Sequence, residues 1–153
     1  MPTIHFELQS ALAPEAVLAA LTDFSPRRAE TWPNIDSDHF KLHDQGAGWA
    51  EVTEGSSVAG GVWERERYSW DAGAGTVKIE TLDSNTWGPG SRWEYGLTPG
   101  ASGGTRIEVT VVRNGKGLKG GLLGAGLTIA GAGMLRSQME QALARVRPSG
   151  GDR

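Results

Sequence analysis

The residues best placed to do chemistry lie in one nine-residue stretch, VWERERYSW, residues 62–70. Alternation gives this stretch two faces: Val62, Glu64, Glu66, Tyr68 and Trp70 on one, Trp63, Arg65, Arg67 and Ser69 on the other. Apolar residues favour the first set as the inner face, which turns Glu64 and Glu66 toward apolar surroundings. A carboxyl placed there must pair, accept hydrogen bonds or keep its proton to higher pH than usual. A carboxyl so tuned serves as a general acid or base. Glu64, Glu66 and Tyr68 are therefore the candidate catalytic residues, with Tyr68 or Tyr95 as a hydrogen-bond donor to a developing oxyanion. A second reading stands beside this one: Gly60-Gly61 bulges the strand, flips its register and leaves both acids exposed.

Other chemistries find less support. His39 and His43 form H-x₃-H, but HFKLHD alternates like a strand, which would hold the two imidazoles about 13 Å apart on an outer face. One metal cannot bridge that distance. His5 also phases outward, so neither a metal site nor a histidine-based triad is expected. The absence of Cys removes thiolate zinc sites and a disulfide scaffold. GKGLKG, residues 115–120, matches G-x-G-x-x-G, yet at this glycine content the match carries little weight. A dinucleotide site also needs a strand after the helix, and none follows. No cofactor is expected. The 15 basic and 18 acidic residues give a net charge of −3, which argues against a nucleic-acid partner.

The elements that must position these residues are legible in the patterning. TIHFELQ, residues 3–9, alternates as a half-buried strand with Ile4, Phe6 and Leu8 inward. Pro14-Glu15 opens a helix carrying Val17, Leu18, Leu21 and Phe24, stopped by Ser25-Pro26. A second short helix is expected around Arg27 to Trp32. Six more strands follow between residues 38 and 113, each separated from the last by Gly, Asp, Pro or Ser clusters. Such spacing favours consecutive antiparallel pairing. Three strands phase cleanly: Val77 and Ile79; Trp93, Tyr95 and Leu97; Ile107, Val109 and Val111 point inward. Opposite them runs a row of alternating charge, Lys78/Glu80, Arg92/Glu94 and Arg106/Glu108, as a solvated sheet face favours. Residues 118–146 read as one long helix of roughly 43 Å, and residues 148–153 as a disordered tail.

One strand, two helices, six antiparallel strands and a long final helix is a distinctive order. The segments APEAVLAALTDFSPRRAETWPNI, AEVTEGSSVAGGVWERERYSW, SNTWGPGSRWEYGLTPGASGGTRIEV and GKGLKGGLLG carry a resemblance to the START/SRPBCC superfamily, most of all its bacterial polyketide cyclase/dehydrase-like group. The resemblance spans residues 3 to 146. It implies an α+β helix-grip fold in which a seven-stranded curved antiparallel sheet wraps around the C-terminal helix. Residues 1–147 would form a single ligand-binding domain. Between sheet and helix it implies a cavity for a hydrophobic small molecule: a lipid, an aromatic or a polyketide-like compound. Trp32, Glu66, Tyr68, Trp70, Ile79, Trp93, Tyr95 and Leu127 are the expected ligand-binding residues. The leading expectation is binding without catalysis; the alternative is a cyclase or dehydratase that uses a cavity carboxylate as general acid or base.

Glycine supplies a second pointer to a cavity. Of 23 glycines, seven fall between Gly117 and Gly133, inside the last helix. Each costs about 1 kcal/mol relative to Ala there. Close approach of backbone to sheet or room for a ligand would compensate; a partly unwound first half of the helix is the other reading. Residues 120–135 are uncharged, but they are shorter than the roughly 20 apolar residues of a membrane span. They are read as a buried helix, with no stable membrane insertion. The N-terminus shows no basic-then-apolar leader, so a cytoplasmic protein is expected. Oligomeric state, monomer or homodimer, is left open.

Overall fold

The computed structural model describes residues 2–57 and 60–146. β1 (Thr3–Ser10) leads into α1 (Pro14–Leu21) and the single-turn α2 (Arg28–Thr31). β2 (Lys41–Gly46), β3 (Trp49–Ser56), β4 (Val62–Asp71), β5 (Thr76–Ser84), β6 (Arg92–Pro99) and β7 (Thr105–Val112) follow, and α3 (Gly117–Ala144) completes the order. All seven strands form one antiparallel sheet in the order β1-β7-β6-β5-β4-β3-β2. From β2 to β7 each strand pairs with its sequence neighbour. Only β1 breaks the meander, laying Thr3–Ser10 beside β7 from the opposite end of the chain. This is the α+β helix-grip architecture.

The inner sheet face is the core wall. Ile4, Phe6 and Leu8 of β1, Val77 and Ile79 of β5, and Ile107, Val109 and Val111 of β7 are buried, as their alternation requires. α1 adds Val17, Ala20 and Leu21, and the last turns of α3 add Leu135, Met139, Ala142 and Leu143 at helical spacing. The outer face is charged. Lys78 pairs with Glu80, Arg92 with Glu94, and Arg106 with both Glu7 and Glu108.

Three elements differ from expectation. His39 does not begin a strand: Ser37–His39 form a 3-10 turn, and the strand starts at Lys41. The second helix shortens to Arg28–Thr31, with Trp32 capping it in extended conformation. The final helix is not straight. Its halves, Gly117–Leu127 and Ala130–Ala144, meet at 80°. Gly124 and Gly126 before the bend and Gly131 and Gly133 after it remove the side chains that would resist such a bend. Among the described residues no single helix is long and apolar enough to cross a membrane; the two halves of α3 reach that length only together, across their bend. The expected tail, residues 148–153, lies outside the described residues.

The glycines of α3 divide by role. A Cβ on Gly120 would collide with the Thr86 carbonyl oxygen, so this turn of helix lies directly on the β5–β6 connection. One on Gly131 would crowd Ile4 at 2.9 Å. Around Gly121, Gly126 and Gly133 there is open space.

Candidate functional site

Between the sheet and α3 lies a cavity of about 520 Å³, within the range of small-molecule sites. Its apolar walls include Phe6 from β1, Leu21 from α1, Trp32 after α2, Ile79 from β5, Trp93 from β6, and Leu127 and Met139 from α3. Leu122 and Met134 also line it, yet are 65% and 47% exposed, so the opening lies along the bent helix.

The polar groups of the cavity fall into two clusters joined by Glu66. The first is built on Arg28, 3% exposed. Its Nε donates to Glu54 Oε1 at 2.5 Å and its Nη2 to the Tyr68 hydroxyl at 2.5 Å. Nη1 reaches the Leu21 and Asp23 carbonyls at 3.1 and 3.0 Å. The guanidinium also lies near the Phe24, Tyr68 and Trp32 rings, 4.9, 5.0 and 5.9 Å from their centroids. The Tyr68 hydroxyl donates onward to Glu54 at 2.9 Å. Burial disfavours the guanidinium charge, but Glu54 and Tyr68 outweigh it and hold Arg28 above its ordinary pKa. α2, a single turn, sets Arg28 against Glu54 of β3 and Tyr68 of β4.

The second cluster is built on Arg113, which follows β7. Its Nη1 donates to Glu64 Oε1 at 2.5 Å, and Thr81 Oγ1 donates to the same oxygen at 2.9 Å. The guanidinium lies over Trp87 and Trp93 at 5.2 and 5.4 Å. Trp87 is placed by the connection after β5, where Ser84 Oγ accepts the backbone N–H groups of Thr86 and Trp87, both at 3.0 Å. Thr81 faces inward by the same alternation as Val77 and Ile79; Leu82 is then an extra residue, since Glu66 pairs with Thr81 while Arg65 pairs with Asp83, and it brings Ser84 opposite Glu64.

Glu66 sits between the clusters, 3% exposed, and no arginine among the described residues forms an ion pair with it. Burial, then the nearby Glu64 and Glu54 carboxylates and a hydrogen bond with Glu54, push its carboxyl well above the usual carboxylate range. Glu66 is thereby made to hold its proton to higher pH than an ordinary carboxyl. Burial likewise raises both Tyr68 and Tyr95, which stay neutral phenols.

Glu64 and Glu66 both line the cavity, as the inner-face reading of β4 has them; no flip of register at Gly60-Gly61 turns them outward. Trp32, Glu66, Tyr68, Ile79, Trp93, Tyr95 and Leu127 come together there. Trp70 does not. It lies toward the far end of β4, 6.1 Å from the Phe24 ring, and outside the cavity lining. Sequence reasoning missed Arg28, Glu54, Trp87 and Arg113. Glu54 and Arg113 carried a signal: Ala50, Val52 and Glu54 share one phase, and Arg113 continues the set Ile107, Val109, Val111. Arg28 and Trp87 lie outside strands and have no such period. Among the described residues no group of three or more His, Asp or Glu is arranged to hold a metal ion.

No protein-family model and no curated protein sequence matches this chain. Solved structures do match its fold. A protein from Thermus thermophilus superposes with a TM-score of 0.77 at 16% identity, covering 95% of this chain and 97% of that one. A START superfamily protein from Mycobacterium smegmatis gives 0.74 at 13% identity, over 94% and 96%. The Zhui aromatase/cyclase from Streptomyces gives 0.73 at 19% identity, over 97% and 98%. The helix-grip fold is thus shared along nearly the whole chain with START-like proteins and with aromatase/cyclases.

Proposed function

We propose that this protein binds an apolar small molecule, of the size of a fused ring system or a short lipid, between the sheet and α3. One observation carries the reading: an apolar cavity of about 520 Å³ that opens along the bent helix and ends on a fully built polar cluster. Arginines and carboxylates are not buried in paired form merely to fill space, because hydrophobic residues of similar volume are often at least as stabilising. The fold shared with START superfamily proteins and an aromatase/cyclase supports the same class of ligand. The test is a titration with single-chain lipids and aromatic polyketides, followed by tryptophan fluorescence and native mass spectrometry. Trp32, Trp87 and Trp93 line the cavity, so saturable quenching with one ligand per chain is expected. The absence of saturable binding across the whole panel would overturn the reading.

A second reading is favoured by the buried placement of both Glu66 and Tyr95 in the cavity lining, where the Glu66 carboxyl is pushed to keep its proton to higher pH than usual. In a cyclase, a methylene between two ketones would lose its proton to water and its carbon would attack a third ketone. Glu66 would deliver its proton to the alkoxide so formed while the Tyr95 hydroxyl donates a hydrogen bond to that ketone oxygen. In a dehydratase the Glu66 proton would leave with the departing hydroxyl as water. Glu64 and Tyr68 are poorer candidates, the one held by Arg113 and Thr81, the other by Arg28 and Glu54. Glu66→Gln would then abolish turnover of an enolisable polyketone while sparing its binding. Unchanged turnover in that variant would refute the catalytic role.

A further inference from the structure

The polar end of the cavity also constrains the charge of what it holds, given the binding reading above. Both guanidiniums among the described lining residues are already committed. Arg28 spends its three nitrogens on Glu54, Tyr68 and two backbone carbonyls, and Arg113 is tied to Glu64 with its faces against Trp87 and Trp93. An incoming carboxylate or phosphate finds each of these cations already paired, Arg28 with Glu54 and Arg113 with Glu64. Glu54 and Glu64 thus balance the two guanidiniums, and the third acid, Glu66, is pushed toward its neutral form. An added anion would leave this balanced site with an uncompensated negative charge, which costs more in a half-buried cavity than in water.

The Tyr95 hydroxyl hydrogen-bonds to none of the described residues, although Tyr95 is 8% exposed and lines the cavity among the charged side chains. The hydroxyl is not sealed off inside the protein, so a ligand that covers it must supply a hydrogen-bonding atom or leave it unpaired at a cost. The Tyr95 ring is stacked on Trp93, 6.2 Å between centroids and 9° between planes, and extends a flat aromatic wall beside that hydroxyl. The geometry points to an uncharged ligand: a planar apolar molecule that carries a hydroxyl or ketone oxygen to the Tyr95 hydroxyl, with carboxylate-headed molecules of the same shape refused.

Three probes of one size separate the possibilities: naphthalene, 1-naphthol and 1-naphthoate, titrated calorimetrically at pH 7 against the intact chain. 1-Naphthol is expected to bind at least tenfold more tightly than 1-naphthoate and several-fold more tightly than naphthalene. Tyr95→Phe, which removes only the oxygen, should erase the advantage over naphthalene and leave naphthalene unchanged. Glu64→Gln releases Arg113 and should improve 1-naphthoate by tenfold or more; circular dichroism confirms that each variant is folded. Equal or tighter binding of 1-naphthoate by the unaltered protein overturns the charge assignment, even if naphthalene binds and the cavity reading stands. A naphthol preference that survives Tyr95→Phe overturns the role of that hydroxyl. Failure of all three probes, together with failure of the lipid and polyketide panel, overturns the cavity reading and this inference with it.

Discussion

Replacing Glu66 by Gln isolates the contribution of a single buried proton. In the unfolded chain this carboxyl titrates near its ordinary value of 4.5, whereas in the folded protein burial and two neighbouring carboxylates raise it well above that. Between those two values the native state keeps a proton that the unfolded state has released. Stability therefore falls as pH rises through the window, by about 1.4 kcal/mol per pH unit for one proton. Below pH 4.5 both states are protonated and no penalty exists; above the folded value the penalty is complete and constant. Gln does not titrate, is nearly the same shape, and can donate an amide hydrogen to Glu54 where the acid donated its own. The variant should match the unaltered protein near pH 4 and gain on it steadily above. The gap between pH 5 and pH 7 should widen by up to about 2.7 kcal/mol. Urea unfolding at pH 4, 5, 6 and 7, followed by circular dichroism, measures this directly, because contributions shared by the two proteins cancel in the difference. Parallel stability profiles across that range would refute the assignment of Glu66 as a carboxyl that holds its proton to raised pH.

Other substitutions address the frame of the cavity. Arg28→Met should cost about 3–5 kcal/mol in urea unfolding, because Glu54 loses its cation in a site that solvent scarcely reaches; adding Glu54→Gln should recover a substantial part. Two alanine substitutions in α3 should act in opposite directions on the thermal midpoint. Gly120→Ala meets the Thr86 carbonyl and should destabilise by about 1–3 kcal/mol, while Gly133→Ala enters open space and should stabilise by up to about 1 kcal/mol. Gly126→Leu extends a side chain toward the cavity from a position with nothing within 4 Å. It should weaken ligand binding by calorimetry without lowering the thermal midpoint.

What the sequence disclosed follows from where a period exists. β1, β5, β6 and β7 alternate cleanly because each has one wet and one dry face, so their inward sets and the outer charge rows were legible residue by residue. β4 was legible only with an alternative, because two glutamates on an apolar face contradict the simple rule. The contradiction is resolved by partners far away in sequence: Arg113 is 49 residues from Glu64, and Glu54 belongs to a different strand from Glu66. Arg28 received no role from the sequence because nothing local reveals that residues 54 and 68 will surround it. The bend in α3 was hidden for a related reason. Seven glycines signal that a helix tolerates distortion, but the direction of the bend depends on the sheet beneath it.

The pairing of β1 with β7 carries a consequence for folding order. The meander from β2 to β7 needs only short-range closures, whereas Thr3–Ser10 meets Thr105–Val112 across about one hundred residues. Closing a loop of that length costs entropy that no local contact returns in advance. The cavity takes Phe6 from this first strand and Leu127 and Met139 from the last helix. Its walls are therefore complete only once the two ends of the chain have met. A ligand seated there would be linked to the whole folding equilibrium and not to one local element. At a concentration one hundredfold above its dissociation constant it would add about 2.7 kcal/mol to global stability. Slow amide exchange throughout the sheet, and not only near the helix, would be its signature.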